Sequence, residues 1–220
     1  MELLTSTLAI NSAILNGGDF VFNGNGVDLY DSVSEAGIAH SVFFDPPWEK
    51  MSEFKMCSGT STVFAFCDGR RAGDVVTIFG PPAWVFCWDC VSSWYTKNRP
   101  LMRAKFCFFY GDVKNYNPEG AFIRPRSTLD SPRKVSNSRG EYVFVPNEGG
   151  VMLSDVFRYP ITQLHSQPGA HRHQKPLQWL SAIVSNLLPS GDALVDPFAG
   201  SGQSYLAAKT GGARWIGAEI

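Results

Sequence analysis

The stretch A-L-V-D-P-F-A-G-S-G-Q-S-Y-L-A-A-K-T-G-G-A-R-W-I-G-A-E (193–219) decides how the chain is read. An apolar run ends in Asp196, a glycine-rich turn follows, a helical segment closes on Gly211 and Gly212, and a second apolar run ends in Glu219. Strand, turn, helix and strand in that order make a βαβ unit, the building block of parallel sheets. Glycines at the strand-to-helix corner let backbone approach a ligand closely, and the start of the helix offers unpaired N–H donors. Structural glycines alone would also explain a lone G-x-G. Glu219, 19 residues after Gly200, adds a carboxylate placed to accept both hydroxyls of a ribose.

Elimination narrows the nucleoside. A dinucleotide fingerprint needs a third glycine where this chain has Tyr205, and a phosphate loop needs Gly-Lys-Ser or Gly-Lys-Thr, which the turn lacks. S-adenosylmethionine, with a ribose and a charged amino-acid tail but no phosphates, fits best. Asp196, Pro197, Phe198, Gly200, Ser201, Gly202 and Glu219 are therefore the expected cofactor contacts.

Upstream, K-P-L-Q-W-L-S-A-I-V-S-N-L-L places Leu177, Leu180, Ile183, Val184 and Leu187 at helical spacing, with Pro176 suited to the first helical position. Strand-like runs rich in aromatic and β-branched residues occur at 42–44, 62–67, 83–88 and 105–110. Short segments at 51–55 and 92–98 suit helical turns. The first run leads straight into Asp45-Pro46-Pro47-Trp48. Prolines lack the donor a sheet ladder needs, so something other than continued pairing is wanted there.

Composition bounds the rest. The 220 residues are 44% hydrophobic and 18% charged, with net charge −1, which suits one large α/β domain with a sizeable core. Between Lys97 and Arg139, however, ten Lys and Arg face only Asp112, Glu119 and Asp130. So basic a segment in a near-neutral chain points to a local polyanion contact. Five cysteines, an odd number, suit reduced thiols and a cytoplasmic location. One C-W-D-C pair without a second does not make a zinc site, and no metal is expected. The N-terminus lacks a signal-peptide pattern, and no apolar run is long enough to span a membrane.

D-P-P-W (45–48), H-R-H-Q-K-P (171–176) and D-P-F-A-G-S-G (196–202), in that order, resemble the β-class amino-methyltransferases that modify DNA. The resemblance covers residues from about 16 to 220. It implies a circularly permuted, Rossmann-like methyltransferase sheet of seven mostly parallel strands, with helices on both faces. It divides the chain into a catalytic half (1–111), a small basic target-recognition insertion (112–165) and a cofactor half (166–220). By the same resemblance, the Asp45 carboxylate and the Pro46 carbonyl accept the protons of an exocyclic amino group. Pro47 stiffens the turn, and Trp48 stacks on a base swung out of the helix.

His171, Gln174, Lys175 and Pro176 match the family element, whereas Arg172 and His173 depart from it. Lys175 is the candidate for the cofactor's carboxylate. Asp rather than Ser at position 45 resembles the adenine N6 enzymes more than the cytosine N4 enzymes. The alternatives are cytosine N4 methylation, RNA as substrate, and a non-catalytic binding subunit. Arg124, Arg126, Arg133, Lys134 and Arg139 are the expected nucleic-acid contacts. The chain stops at Ile220, just past Glu219, so a homodimer mate or partner subunit is expected to cover the cofactor's adenine.

Overall fold

The computed structural model describes residues 1–47, 60, 62–91, 103–113, 122–124, 133–137, 140–144, 151–152, 154–160 and 174–219. The helical turns expected at 51–55 and 92–98 lie outside them. A single sheet dominates. Its central strands are β3 (His40–Phe44), β4 (Val63–Asp68), β12 (Ala193–Asp196) and β13 (Arg214–Glu219). Beyond β13 come β2 (Phe20–Asn23) and β1 (Glu2–Leu4). Beyond β4 come β6 (Ala104–Tyr110), β5 (Trp84–Asp89) and β11 (Val156–Arg158). The order is β1-β2-β13-β12-β3-β4-β6-β5-β11. All neighbours are parallel except β6, which runs antiparallel to both β4 and β5.

Side chains alternate across the pleat, and each face has its own cover. Phe43, Phe64, Phe66, Leu194 and Trp215 point to one face, where α4 (Leu177–Leu187) and α5 (Gln203–Thr210) pack on them. Val42, Phe44, Val63, Ala65, Val195, Ile216 and Ala218 point to the other. There α1 (Thr7–Asn16), α2 (Gly26–Glu35) and α3 (Ala72–Phe79) close over them. This double cover explains why the strands read as continuous apolar runs rather than as alternating ones.

The α4 stripe expected from sequence holds, with Leu180, Ile183, Val184 and Leu187 buried and Trp179 fully so. Each such side chain contributes about 1.5–3 kcal/mol by burial. Pro176 caps α4 from an extended conformation (φ −61°, ψ 124°) rather than occupying its first turn. The βαβ unit also holds, with β12 and β13 parallel from Ala193↔Arg214 to Asp196↔Gly217.

The sheet has nine strands where seven are expected. The additions are its edges: β1 pairs with β2 over three residues, and β11 pairs with β5 over three. Segments this short carry no readable periodicity. β11 lies inside the stretch assigned to the insertion (112–165), yet it is the outer strand of the main sheet. Two small antiparallel pairs stand apart from that sheet. They join β7 (Phe122–Arg124) to β10 (Val151–Met152), and β8 (Arg133–Asn137) to β9 (Gly140–Phe144).

Trp179 joins α4 to the sheet, its ring 5.7 Å from Phe66 and 6.2 Å from Trp88. Trp179→Ala should lower the free energy of unfolding by about 3–5 kcal/mol, read from urea denaturation. A loss under about 1 kcal/mol would show that this packing does not anchor α4.

Candidate active site

Because β2, β13, β12, β3 and β4 are parallel, their carboxyl ends share one edge, where ligands of open α/β sheets bind. Asp196 ends β12, Glu219 ends β13, and Asp45 follows β3 directly. The register links them: Val195 pairs with Val42, Asp196 with Gly217, and Glu219 with Asn23. Three carboxylates distant in sequence thus line one edge.

The glycine turn has the conformation its sequence suggests. Gly200 (φ 49°) and Gly202 (φ 72°) are both left-handed, a region that side chains other than glycine rarely adopt. Gly200 N donates to Glu219 Oε2 at 2.6 Å, which holds the acid across the mouth of the turn. A third wall comes from Asn23-Gly24-Asn25-Gly26, which sequence reading missed. Gly24 N donates to Glu219 O (3.1 Å), and Asn25 Oδ1 caps α2 by accepting from Val27 N (3.0 Å). A Cβ on Gly26 would lie 2.1 Å from Pro197 O, so only glycine lets this loop close on the D-P-F turn. The legible signal was an asparagine followed by a helical segment. Backbone pressed this close around a carboxylate fits a nucleoside-bearing cofactor.

Asp196 is 1% exposed. Its Oδ1 accepts from Phe198 N (2.9 Å), its Oδ2 from Ser204 Oγ, and Ser204 Oγ in turn from Trp215 Nε1 (3.0 Å). Burial pushes its carboxyl up to about 7 against those hydrogen bonds; the negative charge of Asp45 adds to the rise and Lys175 opposes it. Ser204 and Trp215 are therefore supports of the site that sequence reading did not identify. Gly217 belongs with them: the Trp215 ring lies across it, 2.1 Å from where a Cβ would stand.

Lys175 Nζ donates to Asp45 Oδ2 and sits 5.2 Å from the centre of the Phe66 ring. Its side chain is 13% exposed and that of Asp45 34%. The lysine expected at the cofactor's tail thus holds the aspartate expected to do the chemistry. Pro46 is buried and Pro47 exposed. Trp48 lies outside the described residues.

The sequence model of the DNA methylase family, the N6/N4 type, matches residues 57–220. The chain belongs to this family. It is 23% identical over 232 residues to the type II methyltransferase M.BamHI of Bacillus amyloliquefaciens, covering 91% of this chain and 54% of that protein. It is 28% identical over 121 residues to the type II methyltransferase M.ScaI of Streptomyces caespitosus, covering 53% of this chain and 38% of that protein. The chain therefore spans about half the length of the first relative and less of the second. Among solved structures it resembles the M1.HpyAVI–SAM complex (TM-score 0.55, 15% identity, 90% of this chain and 91% of that one). It also resembles the cytosine-N4-specific PvuII DNA methyltransferase (TM-score 0.58, 14% identity, 99% and 83%). At these identities the likeness establishes the methyltransferase fold.

Of the basic residues picked from sequence, Lys134 is exposed on β8, with Arg133 beside it on the same strand. Arg124 ends β7. Arg126 and Arg139 lie outside the described residues. Cys87 and Cys90 are free; burial raises the Cys87 thiol and pushes Cys90 up to about 11, as suits packing rather than thiolate chemistry. Among the described residues no helix is long and apolar enough to cross a membrane.

The raised Asp196 has a consequence for stability. In the unfolded chain it would titrate near 3.8, and in the fold at about 7, so between those values the folded state binds more protons. Its contribution to stability is thus present at low pH and lost as pH rises through about 7. The melting temperature of the ligand-free protein should fall as pH rises through that value, and Asp196→Asn should flatten the fall. Equal pH dependence in both proteins would contradict the assignment.

Proposed function

We propose that the chain transfers the methyl group of S-adenosylmethionine to the exocyclic N6 amino group of adenine in DNA, with the base swung out of the duplex. The observation that carries this reading is the placement of Asp45, bonded to Lys175, at the same strand-end edge as the Gly200–Glu219 turn. A carboxylate is thereby aimed where a base would meet a nucleoside cofactor.

The fit of the cofactor rests on the turn. Glu219 takes the ribose hydroxyls, the backbone around Gly200, Ser201 and Gly202 admits the cofactor closely, and Asp196, Pro197 and Phe198 shape the wall below. An ammonium carries three donors, so Lys175 can hold the cofactor's carboxylate while remaining bonded to Asp45. S-adenosylmethionine, when bound, supplies an electrophilic methyl group.

The chain's own residues supply acceptors and alignment. An amino group on an aromatic ring is a poor nucleophile because its lone pair is delocalised. Asp45 Oδ1 and the Pro46 carbonyl each take one N–H, which favours a tetrahedral nitrogen and frees that pair. Proximity and orientation then account for most of the acceleration. Asp45 or water accepts the proton shed after transfer. Trp48 offers the extruded base a flat face. Arg124, Arg126, Arg133, Lys134 and Arg139 grip the DNA.

Cytosine N4 presents the same two protons to the same acceptors. The choice of adenine rests on the resemblance carried by Asp at position 45.

Two substitutions separate the roles. Asp45→Asn keeps an oxygen for Lys175 but removes the charge, and should cost about a hundredfold or more in methyl transfer with cofactor affinity nearly intact. Calorimetry beside a turnover assay checks this, and a parallel loss of both would refute the assignment. Glu219→Ala should raise the cofactor dissociation constant by about tenfold or more, since a charge-assisted hydrogen bond is worth ~1.5–3 kcal/mol. An unchanged constant would remove Glu219 from the ribose.

A further inference from the structure

The edge that carries Asp45 continues across β4, β6, β5 and β11 as a row of paired charges that the reading above does not use. Asp68 ends β4 and Asp89 ends β5, and both strands run parallel to β3. Between them β6 runs the other way, so Arg103 and Lys105 at its start lie at the same edge. The register is continuous: Asp68 pairs with Lys105, Lys105 with Trp88, and Trp88 with Phe157, with Arg158 beside Asp89.

In this row the acids are inside and the bases outside. Asp68 is 1% exposed, and it accepts from Arg70 N (2.9 Å) and Arg70 Nη2 (3.0 Å) with Lys105 Nζ at 3.8 Å. Asp89 is 17% exposed and accepts from Arg103 Nη2 (3.0 Å), Arg158 Nε (3.1 Å) and Val91 N (2.9 Å). The side chains of Arg70, Arg103 and Arg158 are 56%, 49% and 74% exposed. Each carboxylate fixes two bases by one end, and the face turned to solvent is a line of guanidinium and ammonium groups. A guanidinium has five N–H donors. Arg158 gives only Nε to Asp89 among the described residues, so its remaining donors face outward. Strands lie ~4.8 Å apart, so the row from β4 to β11 runs ~14 Å, the axial rise of about four nucleotides of one DNA strand.

We propose that this rim, Arg70, Lys105, Arg103 and Arg158, is a phosphate-binding surface for the duplex that delivers the target base. It rests on the DNA reading above and deepens it. The rim is built on sheet ends and held by the carboxylates of Asp68 and Asp89, so it presents its charges at a fixed distance from Asp45. Phosphate contacts of this kind set register and orientation and carry no sequence information. The rim therefore fixes where the base arrives without choosing which base it is.

The test is titration of a fluorescein-labelled mixed-sequence duplex at several salt concentrations, using the full chain and Arg70→Gln/Arg158→Gln. Removing one phosphate-binding charge reduces the slope of log affinity against log salt by about 0.9. The double variant should therefore bind at least about tenfold more weakly at low salt, with a slope smaller by about 1.8. Its affinity for S-adenosylmethionine should be unchanged. Arg70→Lys/Arg158→Lys, which keeps the charges, should retain most of the slope. If the double variant fails to fold by circular dichroism, Arg70→Gln alone serves. It leaves Asp68 with Lys105 and should flatten the slope by about 0.9. A folded variant with the wild-type slope overturns the rim while the DNA reading stands. A wild-type chain that binds no duplex at any salt overturns both.

Discussion

The arrangement depends on the parallel register of β2, β13, β12 and β3. Both faces of these strands are sealed by helices through Leu194, Phe43 and Trp215 on one side and Val42, Val195 and Ile216 on the other. A polar side chain inside such strands would be buried without water, so polar groups gather at the strand ends. Parallel pairing sends those ends to one edge. The candidate chemistry of Asp45, Asp196 and Glu219 follows from that constraint, since each lies at or just past the last residue of its strand.

The constraint has a cost at Asp196, whose carboxylate is buried at the centre of the edge. Desolvation drives its carboxyl up to about 7 even though Phe198 N and Ser204 Oγ both donate to it. Such a group braces the D-P-F turn, because the hydrogen bond to Phe198 N fixes the chain as it leaves β12. Trp215 lies over Gly217 and reaches Ser204, tying the turn to α5 and β13. The same pattern of an acid that organises its neighbours recurs at buried Asp68 and at partly buried Asp89, where the neighbours are arginines and a lysine.

Local patterns carried much of this into the sequence. The runs that became β3 to β6, the apolar stripe of α4 and the strand-turn-helix-strand of β12, α5 and β13 are each readable in a short window. The end of β3 at Phe44 was legible because the two prolines that follow Asp45 break the ladder. The N-terminal elements were not: β1 has three residues, and α1 (T-L-A-I-N-S-A-I-L-N) mixes apolar residues around its circumference. Ser204 and Trp215 are ordinary residues until the fold brings one beneath the other. The rim was invisible for a further reason. Asp68 meets Lys105, and Asp89 meets Arg158, only because β6 is inserted antiparallel and β11 closes the edge. A basic surplus between Lys97 and Arg139 was legible, but which of its members face the site was not.

The most direct test of the account is to identify the nucleoside that receives the methyl group. The chain would be incubated with isotopically labelled S-adenosylmethionine and long mixed-sequence duplex DNA, and the DNA digested and resolved by mass spectrometry. The account predicts label in N6-methyladenine, and loss of that label in Asp45→Asn. Label in N4-methylcytosine would overturn the choice of base while keeping the amino-group chemistry. Label on a ring carbon, as in 5-methylcytosine, or DNA left unlabelled by a chain that binds the cofactor, would contradict the account.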